Sequence, residues 1–179
     1  MAEDTASYSA GATEVTGEER DRLTAERDRI RAEHLRPREE RPPSSARGVH
    51  HIALISSDVA RTCRFYQDVL GFPLTTMFEN RDLPGSTHFF FDIGNGNSLA
   101  YFYLPGVDPG PYDEVLGGKH HRAISMAPEE WRAARDRLEE AGVAFDQVGE
   151  TSLYFRGPDG ERLELIADPL GEMYGERVD

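Results

Sequence analysis

The sequence predicts an α+β fold in which two tandem βαβββ modules form one open, curved mixed sheet around a central cleft. The first observation is an internal repeat, because residues 50–54 and 120–124 are similar strand-like segments that each open on two histidines. The second is that each segment is followed by apolar residues at helical spacing, ending at a glycine. The third is a shared late pattern, formed by Phe91, Gly96, Leu99 and Ala100 in one half and by Phe155, Gly160, Leu163 and Glu164 in the other. Matches in the same order at similar spacing indicate a duplicated unit.

The first module is predicted over residues 48–104. Its β-branched, alternating start indicates a strand over residues 49–55, and Ser57 or Asp58 suits the N-cap of the helix that follows. That helix has an apolar stripe and ends at Gly71; the stripe consists of Val59, Cys63, Tyr66 and Leu70. A strand over residues 72–78 follows. Asn95-Gly96 then marks the turn of a hairpin between strands at residues 88–93 and 98–104.

A Gly- and Pro-rich connection over residues 105–118 leads to the second module, residues 119–169. Its first strand is predicted over residues 121–126, and Pro128 suits the first position of the next helix. The apolar stripe of this helix consists of Trp131, Ala134, Leu138 and Ala141, and Gly142 ends it. Three strands complete the module, at residues 143–148, 153–156 and 162–167, and the turn before the last strand is Pro158-Asp159-Gly160.

The two ends of the chain differ in composition from the modules. Residues 1–47 form a charged extension, predicted to be disordered over residues 1–16 and helical over residues 17–36. Leu23 and Ile30 give that helix only a thin apolar stripe, which favours a solvated, partly frayed helix over one packed on a partner. A linker rich in Pro and Ser joins the helix to the first module, and residues 170–179 form a C-terminal tail.

Composition excludes several classes of partner. The formal net charge of −13 disfavours a nucleic acid or an anionic membrane surface. No apolar stretch approaches the ~20 residues that span a bilayer, and the N-terminus lacks the features of a secretory signal. The only cysteine, Cys63, has no internal disulfide partner. A cytoplasmic location is therefore expected.

Side-chain alternation along a strand predicts which residues of each opening strand face the cleft. His51 shares a face with Ala53, and His121 shares a face with Ala123. Because the neighbouring side chains are small, each histidine has room beside it for a metal or a ligand.

A carboxylate is expected in the same cleft. Glu164 lies between Leu163 and Leu165, and the packing of these leucines under the helices sends the Glu164 side chain to the other face. Two imidazoles and one carboxylate on rigid strands form a facial triad with open coordination positions. His51, His121 and Glu164 are therefore predicted to bind a divalent metal, with Fe(II) favoured and Mn(II) or Zn(II) as alternatives, and the fold is predicted to enclose a metal cleft.

Three motifs of the chain resemble the vicinal oxygen chelate superfamily, which includes glyoxalase I, extradiol dioxygenases, fosfomycin-resistance transferases and bleomycin-binding proteins. The motifs are Val49-His50-His51-Ile52-Ala53-Leu54, Phe65-Tyr66 with Leu70-Gly71-Phe72, and Gly157-Pro158-Asp159-Gly160 with Glu164-Leu165. The resemblance covers residues 48–169 and implies a metal-dependent protein with a small-molecule substrate. Open sheets of this kind also pair across subunits, so a homodimer is expected.

Single positions narrow the activity that the resemblance implies. Ala100 stands where glyoxalase I and related epimerases carry a fourth metal ligand, which disfavours both activities. Extradiol dioxygenases use two His and one Glu with Fe(II) and place a tyrosine before the Glu ligand, where this chain has Tyr154. Their acid–base histidine aligns with Asn97, so His88 on the neighbouring strand is the candidate to replace it. Tyr154 and His88 are therefore the candidate catalytic residues.

Three functions remain open at this point. The preferred one is an Fe(II) extradiol-dioxygenase-like enzyme that acts on a small oxygenated or aromatic substrate. A second is another metal-dependent isomerase, lyase or thiol transferase, of the glyoxalase or fosfomycin-resistance type. The third is a non-catalytic binding or resistance protein that holds its ligand among aromatic side chains. Alternate residues of two strands would line this pocket, and at least half of the aromatic residues are expected to pack in the core instead. The aromatic residues are Phe89, Phe90, Phe91, Tyr101, Phe102 and Tyr103.

Overall fold

The computed structural model describes residues 15–46, 48–107, 110, 118–173 and 175–178. The chain divides into two compact units, one of residues 8–47 and one that begins at Gly48. Most of the segment predicted to be disordered, residues 1–16, and most of the connection at residues 105–118 lie outside the described residues. No helix in the described ranges combines the length and the apolar character needed to cross a bilayer.

The N-terminal unit contains one helix, α1 (Gly17–His34), and a short 3-10 turn at Arg38–Glu40. No residue of α1 is buried. Ion pairs between residues three or four apart line its surface, such as Arg22–Glu19 at 2.7 Å. Exposed pairs of this kind stabilise a helix only slightly. The helix was predicted over residues 17–36, and whether it packs on a partner stays a prediction.

The first module contains four strands and a helix. They are β1 (His51–Ile55), α2 (Val59–Arg64), β2 (Leu74–Glu79), β3 (Thr87–Asp92) and β4 (Ser98–Tyr103). The sheet order is β1-β4-β3-β2, and β1 runs parallel to β4. A parallel neighbour needs a crossover, which α2 supplies.

The second module repeats this arrangement. Its elements are β5 (Arg122–Ser125), α3 (Pro128–Glu140), β6 (Phe145–Val148), β7 (Ser152–Arg156) and β8 (Arg162–Ile166). The sheet order β5-β8-β7-β6 matches that of the first module, which confirms the predicted duplication. The described strands of the modules form two open four-stranded sheets. A short hairpin, β9 (Glu172–Met173) and β10 (Glu176–Arg177), lies in the predicted C-terminal tail.

The helix ends follow the sequence signals. Asp58 caps α2 by accepting a hydrogen bond from the backbone N–H of Arg61, at 2.9 Å. The helix then widens into a π-helical turn at Phe65–Val69 and stops at Gly71, whose φ of +78° suits glycine. Pro128 begins α3 as predicted.

The helices cover one face of each sheet and bury the core between them. In α3 the buried stripe is Trp131, Ala134 and Leu138, whereas Ala141, predicted to belong to it, is exposed. The Trp131 indole N–H donates to the Leu165 carbonyl oxygen of β8 at 3.0 Å, which ties the helix to its sheet. Of the strand aromatics, Phe89, Phe91 and Tyr101 are fully buried in this core. These are three of the six, which agrees with the expectation that at least half of them serve packing.

The two modules contact each other through their helical sides. The Phe65 and Phe155 rings lie 6.2 Å apart, and the Arg137 side chain donates to the Val69 carbonyl oxygen at 2.7 Å. The fully buried Tyr66 hydroxyl donates to Glu161 of the β7–β8 turn at 2.8 Å. These contacts lie on the side of the sheets that the helices cover.

Candidate metal centre

The second module brings two candidate ligands together. The Nε2 atom of His121 lies 3.0 Å from Oε2 of Glu164. Glu164 is only 4% exposed, while its neighbours Leu163 and Leu165 are fully buried in the core on the other face. The strand alternation therefore places the Glu164 carboxylate as the sequence predicted, on the face opposite the leucines.

A line of hydrogen bonds fixes the tautomer of His121. An arginine only donates, so the contact of 3.1 Å from Arg162 Nη1 to His120 Nε2 requires that this nitrogen accepts. The His120 proton is then on Nδ1, which donates to Nδ1 of His121 at 2.7 Å. His121 consequently carries its own proton on Nε2 and donates it to Glu164. A metal ion bound at this nitrogen would take the place of that proton.

The surroundings of two histidines favour their neutral forms. Burial lowers the pKa of His121, and although Glu164 raises it, His120 and Arg162 lower it further. Burial also lowers the pKa of His88, with a smaller contribution from His51. A neutral imidazole is the form that binds metal.

These shifts predict an acid-sensitive fold for the metal-free protein. A histidine with a lowered pKa binds fewer protons in the folded state, so its contribution is fully present above about pH 6.5 and is lost as the pH falls through the lowered folded value. We expect the melting temperature to fall between about pH 7 and pH 5.5, with a shallower slope in His88→Phe. The exposed His34 of α1 supplies the control, since His34→Gln should leave the slope unchanged. Equal slopes in all three proteins would contradict the assignment.

The first module holds His51 on its own open sheet face. His51 pairs in register with Ser98 of β4, and its Nδ1 lies 2.8 Å from Nδ1 of His50. Within the described ranges, no cluster of three or more His, Cys, Asp or Glu side chains is placed to hold a metal ion. The structure therefore brings His121 and Glu164 together and places His51 elsewhere, so the three-ligand site remains a prediction.

Ala100 also lies on the face that carries His51. It pairs with Ala53 of β1 and with Phe90 of β3, and it is fully buried. A methyl group cannot bind a metal, so this position contributes no ligand.

Tyr154 lies beside the His121–Glu164 pair. It is the cross-strand neighbour of Glu164 in the β7–β8 ladder, and its ring contacts the His121 ring edge-to-face, with centroids 5.7 Å apart. The guanidinium carbon of Arg162 lies 5.8 Å from the centre of the Tyr154 ring. A substrate held at His121 and Glu164 would thus meet Tyr154 and Arg162.

His88 lies in an aromatic group on the open face of the first sheet. Its ring stacks on Phe102 at 3.8 Å and lies 4.3 Å from Phe90, which itself lies 6.4 Å from His51. The buried Nε2 atom of His88 has no hydrogen-bond partner in the described part of the chain. Asn97 instead holds the β3–β4 turn, where its side-chain amide donates to the Gly94 carbonyl oxygen at 3.1 Å.

The sequence interpretation missed the residues that orient these groups. His50, His120 and Arg162 contact the ligand histidines or their partners, but only the doubled histidines of the repeat hinted at this. Glu161 and Arg122, both buried where the modules meet, gave no signal because an isolated charged residue on a strand or turn is usually exposed.

Comparison with known proteins gives a consistent family match. Residues 48–165 match the family model described as Glyoxalase/Bleomycin resistance protein/Dioxygenase superfamily. The putative ring-cleaving dioxygenase MhqA of Bacillus subtilis (strain 168) is 29% identical over 138 residues, which are 72% of this chain and 42% of MhqA. The chain thus spans less than half the length of that relative.

Two solved structures share the fold. A glyoxylase/bleomycin resistance protein/dioxygenase domain from Frankia sp. EAN1pec has a TM-score of 0.60 at 24% identity, covering 72% of this chain and 96% of that one. A mutant of the fosfomycin resistance protein FosX from Listeria monocytogenes, complexed with Mn(II) and 1S,2S-dihydroxypropylphosphonic acid, has a TM-score of 0.51 at 23% identity. It covers 70% of this chain and 95% of FosX.

Proposed function

Because the chain belongs to the glyoxalase/bleomycin resistance protein/dioxygenase superfamily, we propose that it is a divalent-metal enzyme acting on a small oxygenated substrate, specifically an Fe(II) extradiol-dioxygenase-like enzyme. The observation that carries the proposal is the His121–Glu164 pair, with 3.0 Å between Nε2 and Oε2, set beside Tyr154. The 29% identity to a putative ring-cleaving dioxygenase supports the choice of reaction.

The residues present fit a divalent metal. Imidazole nitrogens and a carboxylate oxygen are the donor types that bind Fe(II), Mn(II) or Zn(II), and the structure holds one of each, His121 Nε2 and Glu164 Oε2, side by side. His51, His121 and Glu164 would hold the ion. A divalent ion held there would supply Lewis-acid stabilisation of an ionised substrate oxygen.

We propose that the metal site is completed by His51 of a second copy of the chain. His51 is exposed on an unpaired face of the first sheet, and the same sheet exposes apolar residues, with Ile55 45% and Phe78 47% accessible. The contacts described between the modules lie on the helix-covered side of the sheets, so the exposed residues around His51 are not used for joining the modules and would be covered by a partner. Pairing two such faces would bury the aromatic group and complete two equivalent sites in a symmetric dimer.

Other side chains of the chain would bind the substrate and transfer protons. An aromatic substrate would stack on Phe90 and Phe102 of one copy, opposite the polar face of the other. The Tyr154 hydroxyl would donate to a substrate oxygen, and Arg162 would favour its negative charge. His88, whose neutral form is favoured because burial lowers its pKa, is the candidate for proton transfer, and its buried Nε2 would have to become accessible when substrate binds.

The first experiment measures metal in protein purified without oxygen. We expect about one Fe(II) per chain in the wild type. In Glu164→Ala we expect affinity weaker by more than ~100-fold, because even residues that only orient ligands are worth ~10–100-fold. Glu150→Ala is the matched control, since it removes an exposed carboxylate and should retain the metal.

Oxygen uptake with a panel of catechols then tests the reaction. Uptake in the wild type and its loss in Glu164→Ala would support the dioxygenase. Bound Mn(II) or Zn(II) without uptake would contradict the dioxygenase and favour the second candidate. Failure of the wild type to bind any of these metals would overturn the metalloenzyme itself.

The second candidate is a metal-dependent transferase or isomerase of the fosfomycin-resistance type. One observation favours it: Arg162 shares the face of Glu164 and Tyr154 and would pair with an anionic substrate such as a phosphonate. The fold-level likeness to FosX, solved with Mn(II), is consistent with it.

A further inference from the structure

A cavity lies between the two modules, away from the His121–Glu164 pair. It has a volume of about 300 Å³, is partly open to solvent, and lies beside β1 and the beginning of β5. Among the described residues, its charged lining is Lys119, Arg122, Asp159 and Glu161, and its apolar lining is Ala53, Leu54 and Ile55. Arg122 pairs in register with the core residue Leu163, so it extends from the face of β5 opposite to that of His121.

Arg122 is a buried cation with incomplete hydrogen bonding. The residue is only 6% exposed, and its Nε is inaccessible and has no hydrogen-bond partner among the described residues. Leaving a buried donor of a charged group unpaired is unfavourable. A guanidinium presents its donors in a planar fork that matches the two oxygens of a carboxylate or phosphate.

The acidic residues of the cavity already have other donors. Glu161 accepts hydrogen bonds from the Tyr66 hydroxyl at 2.8 Å and from the Tyr101 hydroxyl at 3.2 Å. Asp159 pairs with Arg61 at 2.8 Å and also accepts from Ser57. Neither carboxylate forms an ion pair with Arg122, although both face the same cavity.

Lys119 adds a second positive charge at this cavity. Burial lowers the pKa of Lys119, and Arg122 lowers it further, while Glu161 acts in the opposite direction. The two cations are thus close enough to repel each other and are partly removed from water. An anion held by Arg122 would therefore also lie near the Lys119 charge.

We propose that this cavity binds a small ligand through an oxyanionic group, a carboxylate or a phosphate, held by the Arg122 guanidinium with Lys119 beside it. Ala53, Leu54 and Ile55 would contact a short apolar part of the ligand. The ligand would contact Arg122 rather than the His121–Glu164 pair, and the proposal does not depend on the proposed function.

The test uses the ¹⁵N-labelled full chain and follows arginine Nε–H signals by NMR during titration with phosphate and, separately, acetate, with chloride at equal ionic strength as reference. We expect one signal to shift saturably with phosphate, acetate or both, and the responding anion identifies the class. That signal should be absent in Arg122→Gln, which assigns it to Arg122. The anion affinity of this variant, measured from the other signals that shift, should fall at least ~10-fold. Arg64→Gln, which removes an exposed arginine of α2, should retain it.

Further variants keep the proposal falsifiable. If Arg122→Gln does not fold, Lys119→Gln should weaken the wild-type response several-fold. Glu164→Ala should retain the response, which separates this cavity from the metal centre. Absence of any saturable shift in the wild type, or an equal response in Arg122→Gln, would overturn the proposal.

Discussion

Mixing His51→Ala with Glu164→Ala is expected to restore metal binding that neither variant has alone. If a site takes His51 from one copy and His121 with Glu164 from the other, a mixed dimer contains one site with both defects and one intact site. Random exchange of equal amounts would make about half of the dimers mixed, so about a quarter of the wild-type sites should return. The measurement is metal content after co-refolding or subunit exchange, with the dimer isolated by size.

The control for this mixture is His121→Ala with Glu164→Ala. Both substitutions damage the same half of the site, so a mixed dimer has no intact site and no metal should return. Recovery in neither mixture, when Glu164→Ala homodimers form normally, would show that the three ligands do not come from two copies. Wild-type protein that stays monomeric while it binds one metal per chain would lead to the same conclusion.

Glu161→Ala is expected to destabilise the fold by about 2 kcal/mol, because it removes the acceptor of the buried Tyr66 hydroxyl. The Tyr101 hydroxyl keeps a second acceptor, the Tyr66 oxygen, at 2.6 Å. Tyr66 is fully buried and Tyr101 is 1% exposed; burial raises the pKa of each well above its ordinary value, so both remain protonated donors. The carboxylate also accepts from the Asp159 backbone N–H at 2.9 Å, so its loss affects the β7–β8 turn as well. Urea unfolding followed by the fluorescence of Trp131, the only tryptophan, measures the change.

A second substitution tests whether this network is the cause. A Cβ atom at Gly157 would lie 2.3 Å from the carboxyl carbon of Glu161, so Gly157→Ala must move that carboxyl group away from its donors. We expect a loss of about 1–3 kcal/mol in the wild type but a much smaller loss in Glu161→Ala, where no carboxyl group is displaced. Exposed Glu150→Ala should change stability by less than about 0.5 kcal/mol. Additive effects of Gly157→Ala and Glu161→Ala would contradict the explanation.

Most of the fold was predictable because its signals are local. Asn95-Gly96 takes positive φ at both residues, +52° and +73°, as the turn prediction requires. Pro128 begins α3, and Asp58 caps α2. Errors occurred at strand ends, where β1 begins at His51 rather than two residues earlier, since the last residues of a strand depend on partners rather than on their own side chains.

The candidate site was predictable only one module at a time. Strand alternation alone placed Glu164 opposite Leu163 and Leu165, and the register then brought it beside Tyr154. The repeat identified His121 as its neighbour. These are contacts within one sheet, whose geometry follows from a period of two residues.

The sequence by itself thus determined the duplicated βαβββ unit, its helices and turns, and the face on which each candidate ligand lies. Only the tertiary structure decided that the modules join through their helical sides, so that His51 lies apart from His121 and Glu164. It also decided that Arg122 and Glu161 are buried where the modules meet. The physical reason is the sequence separation of the interacting residues. Periodicity and capping act over a few residues. The packing of two modules depends on contacts between residues far apart in the chain, such as Tyr66 and Glu161.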